Sequence, residues 1–221
     1  MIYISNGALP EPDRIRCLAE FGLNSIKYSI NAATRETYKR IHGKDDFETV
    51  KSNITELCKK RKSWGIGDLS VFLSFVKCEW NKSEVQLLYE AFDQYVDGIS
   101  IFNCECQGGG NDIDAMIRNG VVLKKDLVSA ASRPCDMIFN RIHVTYEGYL
   151  NACCVDVNND TAVADLREMP LKDAWYSDIF INLRRRHLQN MLKGTYCYNC
   201  LNLARELVKP LNKTLACKVD Y

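Results

Sequence analysis

The spacing of the cysteines is the feature of this sequence that most restricts how the chain can fold. The chain contains eleven cysteines, and four of them form two distant pairs, Cys135-x17-Cys153 and Cys197-x2-Cys200. Two residues between cysteines let both thiols reach one centre from a single turn of chain. The first pair brackets a segment with the pattern of a β-hairpin, whose two ends lie close together. We therefore expect all four thiols to converge on one metal centre.

The hairpin between the first two cysteines is indicated by two strand patterns around a glycine-containing turn. These strand patterns cover residues 142–145 and 149–153. Cys135 enters the hairpin and Cys153 leaves its far strand, so their thiols are expected to face the same point. Cys154 would face the opposite side of the strand, and it becomes the alternative ligand if the register is shifted by one residue.

The four cysteines alone do not identify the metal. Four thiolates suit one tetrahedral zinc ion or one [4Fe–4S] cluster, and the number of ligands does not separate the two. The third explanation is that the four are unrelated buried cysteines. Cys17 and Cys58 lie on apolar helix faces, where a free cysteine is simply a small hydrophobic residue, and they are not assigned to metal.

Charge and hydropathy indicate a cytoplasmic protein that binds neither nucleic acid nor membrane. The 29 basic side chains nearly balance the 28 acidic ones, which removes any general attraction to nucleic acid or acidic lipid. No segment reaches the roughly 18 unbroken apolar residues of a membrane span. The first residues lack the basic start and apolar middle of a signal peptide. In a reducing compartment, clustered cysteines more often bind metal than form disulfides.

Strand and helix patterns alternate over the first hundred residues, which predicts βαβ units and a parallel sheet. The predicted helix at 83–94 is expected to begin with a capping box, Ser83-x-x-Gln86. Residues 104–133 are weakly patterned and are interpreted as a linker between a domain at 1–103 and a domain at 134–221. The predicted strands are 2–5, 25–30, 69–76 and 98–102, and the predicted helices are 12–21, 46–62 and 83–94.

The hairpin and the second cysteine pair belong to a longer pattern over residues 134–203. Its other parts are Arg133-Pro134-Cys135, Leu171-Lys172-Asp173-Ala174-Trp175-Tyr176-Ser177 and Leu183-Arg184. This pattern resembles the SPASM/twitch domains of radical SAM enzymes. The larger SPASM pattern has seven cysteines, and its Cys-x5-Cys-x3-Cys continuation is not found here, so the chain is similar to the single-cluster, twitch-like version. The resemblance implies that one auxiliary [4Fe–4S] cluster, rather than zinc, is bound by Cys135, Cys153, Cys197 and Cys200.

The alternating part of the chain is similar to the later strands of the radical SAM barrel. Ile4-Ser5-Asn6-Gly7 is similar to the end of the third strand, and residues 29–48 are similar to the fourth strand and the helix after it. The expected fold class is therefore α/β, a partial (β/α) barrel followed by a small α+β cysteine-rich domain. The side chains for which the resemblance implies contact with the SAM ribose and carboxylate are Ser29, Asn31 and Arg40.

The sequence also departs from the radical SAM family. It contains neither the Cys-x3-Cys-x2-Cys motif that holds the catalytic cluster nor the Gly-Gly-Glu segment that holds the SAM amino group. The chain alone is therefore not expected to cleave SAM, which would bind only if the missing part of the barrel were supplied.

Three hypotheses about function follow. The first is the carboxy-terminal portion of a radical SAM enzyme, which modifies a peptide or small metabolite and uses its auxiliary cluster for electron transfer or substrate positioning. The second is a non-enzymatic module that binds zinc through the four cysteines on an α/β scaffold. The third is one half of a split enzyme, in which another chain supplies the missing strands.

Overall fold

The computed structural model describes residues 1–9, 12–104, 113–124 and 133–216. These residues form two compact units. The first, called the sheet unit, contains the described residues up to Cys104 together with residues 120–122, and the second, called the cysteine unit, contains the rest. Most of the predicted linker, at 105–112 and 125–132, lies outside the described residues, and its residues Ile113–Arg118 form a helix. The domain boundaries therefore stay a prediction.

The sheet unit is built on four parallel strands that lie side by side in chain order. They are β1 (Ile2–Ser5), β2 (Ser25–Ser29), β3 (Ser70–Lys77) and β4 (Gly98–Asn103). The helices that connect and flank them are α1 (Pro12–Glu20), α2 (Arg35–His42), α3 (Phe47–Lys60) and α4 (Val85–Phe92). The predicted parallel sheet is confirmed.

One face of this sheet carries the core of the unit. Alternate residues of a strand point to the same face, and in β2 and β3 these residues are fully buried. They are Ile26, Tyr28, Val71, Leu73 and Phe75. The other face is more open, because Ile2, Ile4 and Phe102, which lie on it by register, are 70%, 60% and 46% exposed.

Helix α2 is fixed at its start by a carboxylate from a distant part of the chain. Thr34 caps the helix by accepting a hydrogen bond from the backbone N–H of Thr37. The buried Glu84 carboxylate accepts hydrogen bonds from the backbone N–H of Ala33 at 2.8 Å and from Thr34 Oγ1 at 2.7 Å. The loop before α2 is thus bound to the turn before α4.

The capping box predicted at Ser83 was wrong. Residues Lys82–Glu84 form a short 3-10 turn, and α4 begins at Val85 with no side chain capping it. Ser83 lies inside this 3-10 turn, so it does not occupy the N-cap position of α4, which is held by Glu84.

The cysteine unit contains a small antiparallel sheet and five short helices among its described residues. The sheet has strands β5 (His143–Val144), β6 (Tyr149–Asn151) and β7 (Ala162–Asp165), and β5 and β6 form the predicted hairpin. The helices are α5 (Ile113–Arg118), α6 (Met137–Asn140), α7 (Leu171–Trp175), α8 (Asp178–Leu188) and α9 (Tyr196–Asn202). In the part of the chain that the structure describes, no helix is long and apolar enough to cross a bilayer.

Candidate metal centre

The four predicted ligands come from three places in the cysteine unit. Cys135 lies two residues before α6, and Cys153 lies two residues after β6. Cys197 and Cys200 both lie in α9. Because residues three positions apart on a helix are neighbours on its surface, these last two thiols leave α9 on the same side.

The start of α9 is fixed by a buried threonine. Thr195 Oγ1 accepts a hydrogen bond from the backbone N–H of Tyr198 at 3.2 Å and donates one to the Leu192 carbonyl at 2.6 Å. A threonine in this capping position satisfies one of the unpaired N–H groups of the first turn. The helix therefore begins at a defined residue, which sets the direction of Cys197 in its first turn.

All four cysteines line a single cavity. Cys135, Cys153, Cys197 and Cys200 contribute to its wall together with apolar side chains, among them Ile138, Ala152 and Leu201. Cys197 is buried, and the other three are half-buried. The structure thus brings together the two sequence pairs, as the spacing predicted, although their role as ligands stays a prediction.

The cavity wall favours Cys153 over Cys154 as the metal ligand. Cys153 lines the cavity, whereas Cys154 is exposed and is absent from the cavity wall. Both residues follow the end of β6, and Cys154 lies in the turn after it, so the contact with the cavity is what separates them.

Burial raises the pKa of three of the four cavity thiols. It raises the pKa of Cys153 to about 12, and it also raises the pKa of Cys135 and of Cys197. The second cause of the higher pKa of Cys197 is the proximity of the other three thiols, whose charges would repel its own. A positively charged inorganic centre would reverse this preference, because a metal binds the thiolate and releases its proton.

One zinc ion and one cluster place different demands on the spacing of four sulfurs. Among the residues that the structure describes, no group of three or more His, Cys, Asp and Glu side chains is placed to hold a single ion. Four sulfurs on one zinc stand about 3.8 Å apart, because each Zn–S bond is about 2.3 Å long and the geometry is tetrahedral. A [4Fe–4S] cluster takes its four thiolates on four separate irons and so holds them farther apart. Four thiols around one apolar cavity fit the cluster.

A buried polar network holds the chain that leaves β6 toward Cys153. The Asp156 carboxylate accepts hydrogen bonds from the backbone N–H of Thr161 at 2.6 Å and from its hydroxyl at 2.8 Å. Asp156 is 6% exposed, and the Thr161 hydroxyl also contacts the side chain of Asn151. The turn that carries Cys153 is therefore closed by side chains that are shielded from water.

Arg184, in α8, connects this helix to α6 and α7. Its guanidinium carbon lies 3.8 Å from the centre of the Phe180 ring and 4.2 Å from that of Trp175. The same group donates hydrogen bonds to the carbonyls of Ile138 at 2.8 Å and Trp175 at 2.7 Å. Since Ile138 lies in α6 and lines the cavity, Arg184 positions one wall of the site.

His187 and Tyr196 also line the cavity, and the sequence analysis did not identify either of them. The backbone N–H of Cys135 donates a hydrogen bond to Nδ1 of His187 at 3.4 Å. Tyr196 donates its hydroxyl to the Val155 carbonyl at 2.8 Å. The signal for His187 was present, because it is a polar residue on the apolar face that Phe180 and Leu183 define in α8.

The three residues expected to contact SAM lie in the sheet unit. Ser29 ends β2, and its hydroxyl is 3.1 Å from that of Ser74 on β3. Asn31 follows two residues later, and its side-chain oxygen accepts a hydrogen bond from the backbone N–H of Val76 at 2.8 Å. Arg40 lies in α2, with its guanidinium over the ring of Trp80. Their contact with SAM stays a prediction.

The cavity and its cysteines fall within a recognised domain. Residues 135–201 match the family model described as SPASM, an iron–sulfur cluster-binding domain. The match begins at Cys135 and ends one residue after Cys200, so it includes all four cavity cysteines. No curated protein matches the chain by sequence.

Solved structures of anSMEcpe are similar to this chain in fold. Native anSMEcpe with bound AdoMet has a TM-score of 0.53 at 12% identity, covering 93% of this chain and 60% of that one. A hexahistidine-tagged form with bound AdoMet has a TM-score of 0.51 at 11% identity, covering 95% and 66%. The native protein with AdoMet and the Cp18Cys peptide has a TM-score of 0.50 at 12% identity, covering 80% and 57%.

Fold and site together define an α/β protein with an iron–sulfur cluster-binding domain. Residues 135–201 match the SPASM iron–sulfur cluster-binding domain, and the fold of the chain is similar to that of solved anSMEcpe structures with bound AdoMet. The chain spans about three fifths of the length of the structures it matches.

Proposed function

We propose that the chain is the carboxy-terminal portion of a radical SAM enzyme and binds one auxiliary [4Fe–4S] cluster through Cys135, Cys153, Cys197 and Cys200. The observation that carries this proposal is the convergence of the four thiols on one cavity inside the SPASM domain. The match of residues 135–201 to an iron–sulfur cluster-binding domain favours the cluster over zinc.

The role we propose for this site is electron transfer. When bound, a [4Fe–4S] cluster takes up and releases single electrons. The four cysteines would occupy one iron each and so leave no iron open to a substrate. The apolar wall of the cavity, with Ile138, Ala152 and Leu201, keeps water away from the sulfurs. Positioning of the substrate by the same domain is the alternative role.

We propose that the sheet unit is a segment of a radical SAM barrel. Four parallel strands in unbroken chain order are typical of (β/α) barrels, whereas open doubly wound sheets reverse their order at a switch point. The exposure of Ile2 and Ile4 on the face opposite the core supports this proposal. In a closed barrel that face would line the interior.

SAM would bind at the carboxyl end of these strands. Ser29 and Ser74 are opposite each other in the register of β2 and β3, on the face that would line the barrel. Polar side chains at this end of the strands are where barrel enzymes place their ligands. The Arg40 guanidinium would pair with the SAM carboxylate. The substrate class we propose is a peptide or a small metabolite, and one of the anSMEcpe structures holds a peptide.

The edge of the sheet fits the alternative proposal of a split enzyme, and it fits a longer single polypeptide equally well. Strand β1 pairs with β2 alone among the described strands. An unpaired strand edge readily binds another strand. The DNA upstream of the codon for Met1 distinguishes the arrangements: a Cys-x3-Cys-x2-Cys motif in the same reading frame indicates one polypeptide, and one in a separate gene indicates a split enzyme.

The proposed cluster is tested by iron and sulfide analysis after anaerobic reconstitution. We expect about four irons and four sulfides per chain. Cys197→Ala and Cys153→Ser should each lose most of the iron. Cys58→Ala is the matched control, because Cys58 is a half-buried cysteine of the sheet unit whose pKa burial raises to about 11. Wild-type iron content in both cavity variants would contradict the proposal.

A further inference from the structure

We propose that His187 donates a hydrogen bond from Nε2 to a sulfur of the bound cluster, either a bridging sulfide or a cysteine thiolate, and thereby raises the reduction potential of the cluster. The inference rests on the proposed cluster site. It adds a residue that is not a ligand and assigns it an effect on the electronic properties of the centre.

The hydrogen bond from Cys135 fixes where the imidazole carries its proton. The backbone N–H of Cys135 can only donate, so Nδ1 of His187 accepts with its lone pair at 3.4 Å. A neutral imidazole has one N–H and one accepting nitrogen. Nε2 therefore carries the proton and is a donor.

This donor is buried without a hydrogen-bond partner among the described residues, and in the metal-free chain no cysteine sulfur serves as one. His187 is 5% exposed, and its Nε2 makes no hydrogen bond to any part of the chain that the structure describes. A buried polar group left without a partner is costly, and a bound ligand or ion that supplies the missing partner is one explanation for it.

The cavity offers sulfur as the acceptor. His187 lines the same wall as the four cysteines. The hydroxyl of Tyr196, the other polar group of the wall, donates to the Val155 carbonyl at 2.8 Å. The remaining lining side chains, Ile138, Ala152 and Leu201, are apolar. A cluster seated between the four thiols would bring its sulfur atoms to this wall.

The expected electronic effect follows from charge. One-electron reduction by dithionite adds one negative charge to the cluster, while the proton stays on Nε2. A hydrogen bond to sulfur stabilises the more negative, reduced state more than the oxidised one, and so makes the potential less negative. Removing the donor should shift the potential downward.

The chain supplies a matched control histidine. Nε2 of His143 is also buried without a partner among the described residues, but His143 does not line the cavity. His187→Phe and His143→Phe therefore remove equivalent groups, only one of which lies beside the cysteines. His187→Gln restores an amide that can accept from Cys135 and donate to sulfur.

The test is an electrochemical titration of the reconstituted protein, followed by electron paramagnetic resonance and by iron analysis of every sample. We expect full iron content throughout, a more negative potential for His187→Phe, and values near wild type for His187→Gln and His143→Phe. An unchanged potential in His187→Phe at full iron content overturns the role of His187. Loss of iron in His187→Phe but not in His143→Phe also overturns it, because a ligand role is then indicated.

A second measurement needs no variant. Pulsed electron paramagnetic resonance of the reduced wild-type protein, with isotopically labelled histidine nitrogen, should detect weak coupling to one histidine and one exchangeable proton. Absence of any histidine coupling contradicts the inference. Absence of iron from the reconstituted wild type overturns the proposed function. This result is distinguishable from an intact cluster whose reduction potential does not change in His187→Phe.

Discussion

The guanidinium carbon of Arg40 lies 4.0 Å from the centre of the Trp80 ring. Stacking on an aromatic face leaves the edge of the guanidinium pointing away from the ring, and that edge is what a carboxylate binds. The contact therefore orients the residue for which the resemblance implies a role in SAM binding.

The Arg40–Trp80 contact is expected to contribute measurably to stability. Arg40→Ala should lower the free energy of unfolding by about 0.5–1 kcal/mol, and a double-mutant cycle with Trp80→Ala should recover most of this as coupling. The measurement is urea unfolding followed by circular dichroism. Lys39→Ala, at the neighbouring exposed position of α2, is the control and should show no coupling to Trp80.

The Glu84 carboxylate is expected to be the interaction that fixes the start of α2. It accepts from the Ala33 N–H, the Thr34 hydroxyl and the Thr37 hydroxyl, so every one of its partners donates. Glu84→Gln turns an amide NH₂ toward these donors and should lower the free energy of unfolding, measured with urea, by about 1–3 kcal/mol. Glu90→Gln changes an exposed glutamate of α4, the helix that follows Glu84, and should lower the free energy of unfolding far less. Equal losses in both variants would contradict this account.

The ion pair between Arg61 and Asp97 is expected to make stability depend on acid pH. The hydrogen bonds from Arg61 hold the pKa of Asp97 below its ordinary value, and Asp97 also accepts from the backbone N–H of Val71 at 2.6 Å. A carboxyl whose pKa is lowered by folding stabilises the folded state above its ordinary pKa of about 3.9, and the gain is lost as the pH falls through the lower folded value.

Asp97→Asn should therefore reduce the free energy of unfolding by about 0.5–1 kcal/mol at pH 7, because Asp97 is 37% exposed and water screens the ion pair, and the difference from wild type should shrink below about pH 4. Urea unfolding at a series of pH values measures the difference in the free energy of unfolding and its dependence on pH. Asp93→Asn, an exposed change nearby in the chain, should leave the pH dependence as in wild type. A difference that stays constant down to pH 2 would show that the charge of Asp97 is not the cause.

The two adjacent cysteines after β6 are expected to behave differently. Cys153 lines the cavity and Cys154 is exposed. Cys154→Ala should retain the wild-type iron content after reconstitution, whereas Cys153→Ala should lose most of it. In the metal-free protein, iodoacetamide at pH 8 should label Cys154 first, because the pKa of Cys153 is raised to about 12 and a protonated thiol reacts slowly. The reverse order in either experiment would place the register one residue away.

Elements with a strong local pattern could be predicted from the sequence. The apolar run at 69–76 corresponds to β3 at Ser70–Lys77, and the glycine turn predicted the hairpin of β5 and β6. Strand β7 was not predicted, because Ala162–Asp165 is a strand only through its pairing with β6, and pairing is not a local property.

Parts of the site were beyond sequence reasoning for the same reason. The convergence of the four cysteines was predicted from spacing, since pairs near a turn and in one helix have few possible geometries. The pattern of α8 shows His187 as a polar residue on an apolar face, but the partner that explains its position, the Cys135 N–H, lies 52 residues away in the sequence. The role of Glu84 was missed because the donors that compete for it are 47 to 51 residues away.

The nature of the metal decides the account, since the proposed function and the role of His187 both depend on four thiolates around an iron–sulfur core. The most direct measurement is elemental analysis together with a Mössbauer spectrum of ⁵⁷Fe-labelled protein purified without oxygen. We predict about four irons and four sulfides per chain, with the spectrum of one [4Fe–4S] cluster that disappears in Cys197→Ala. One zinc per chain without iron would contradict it.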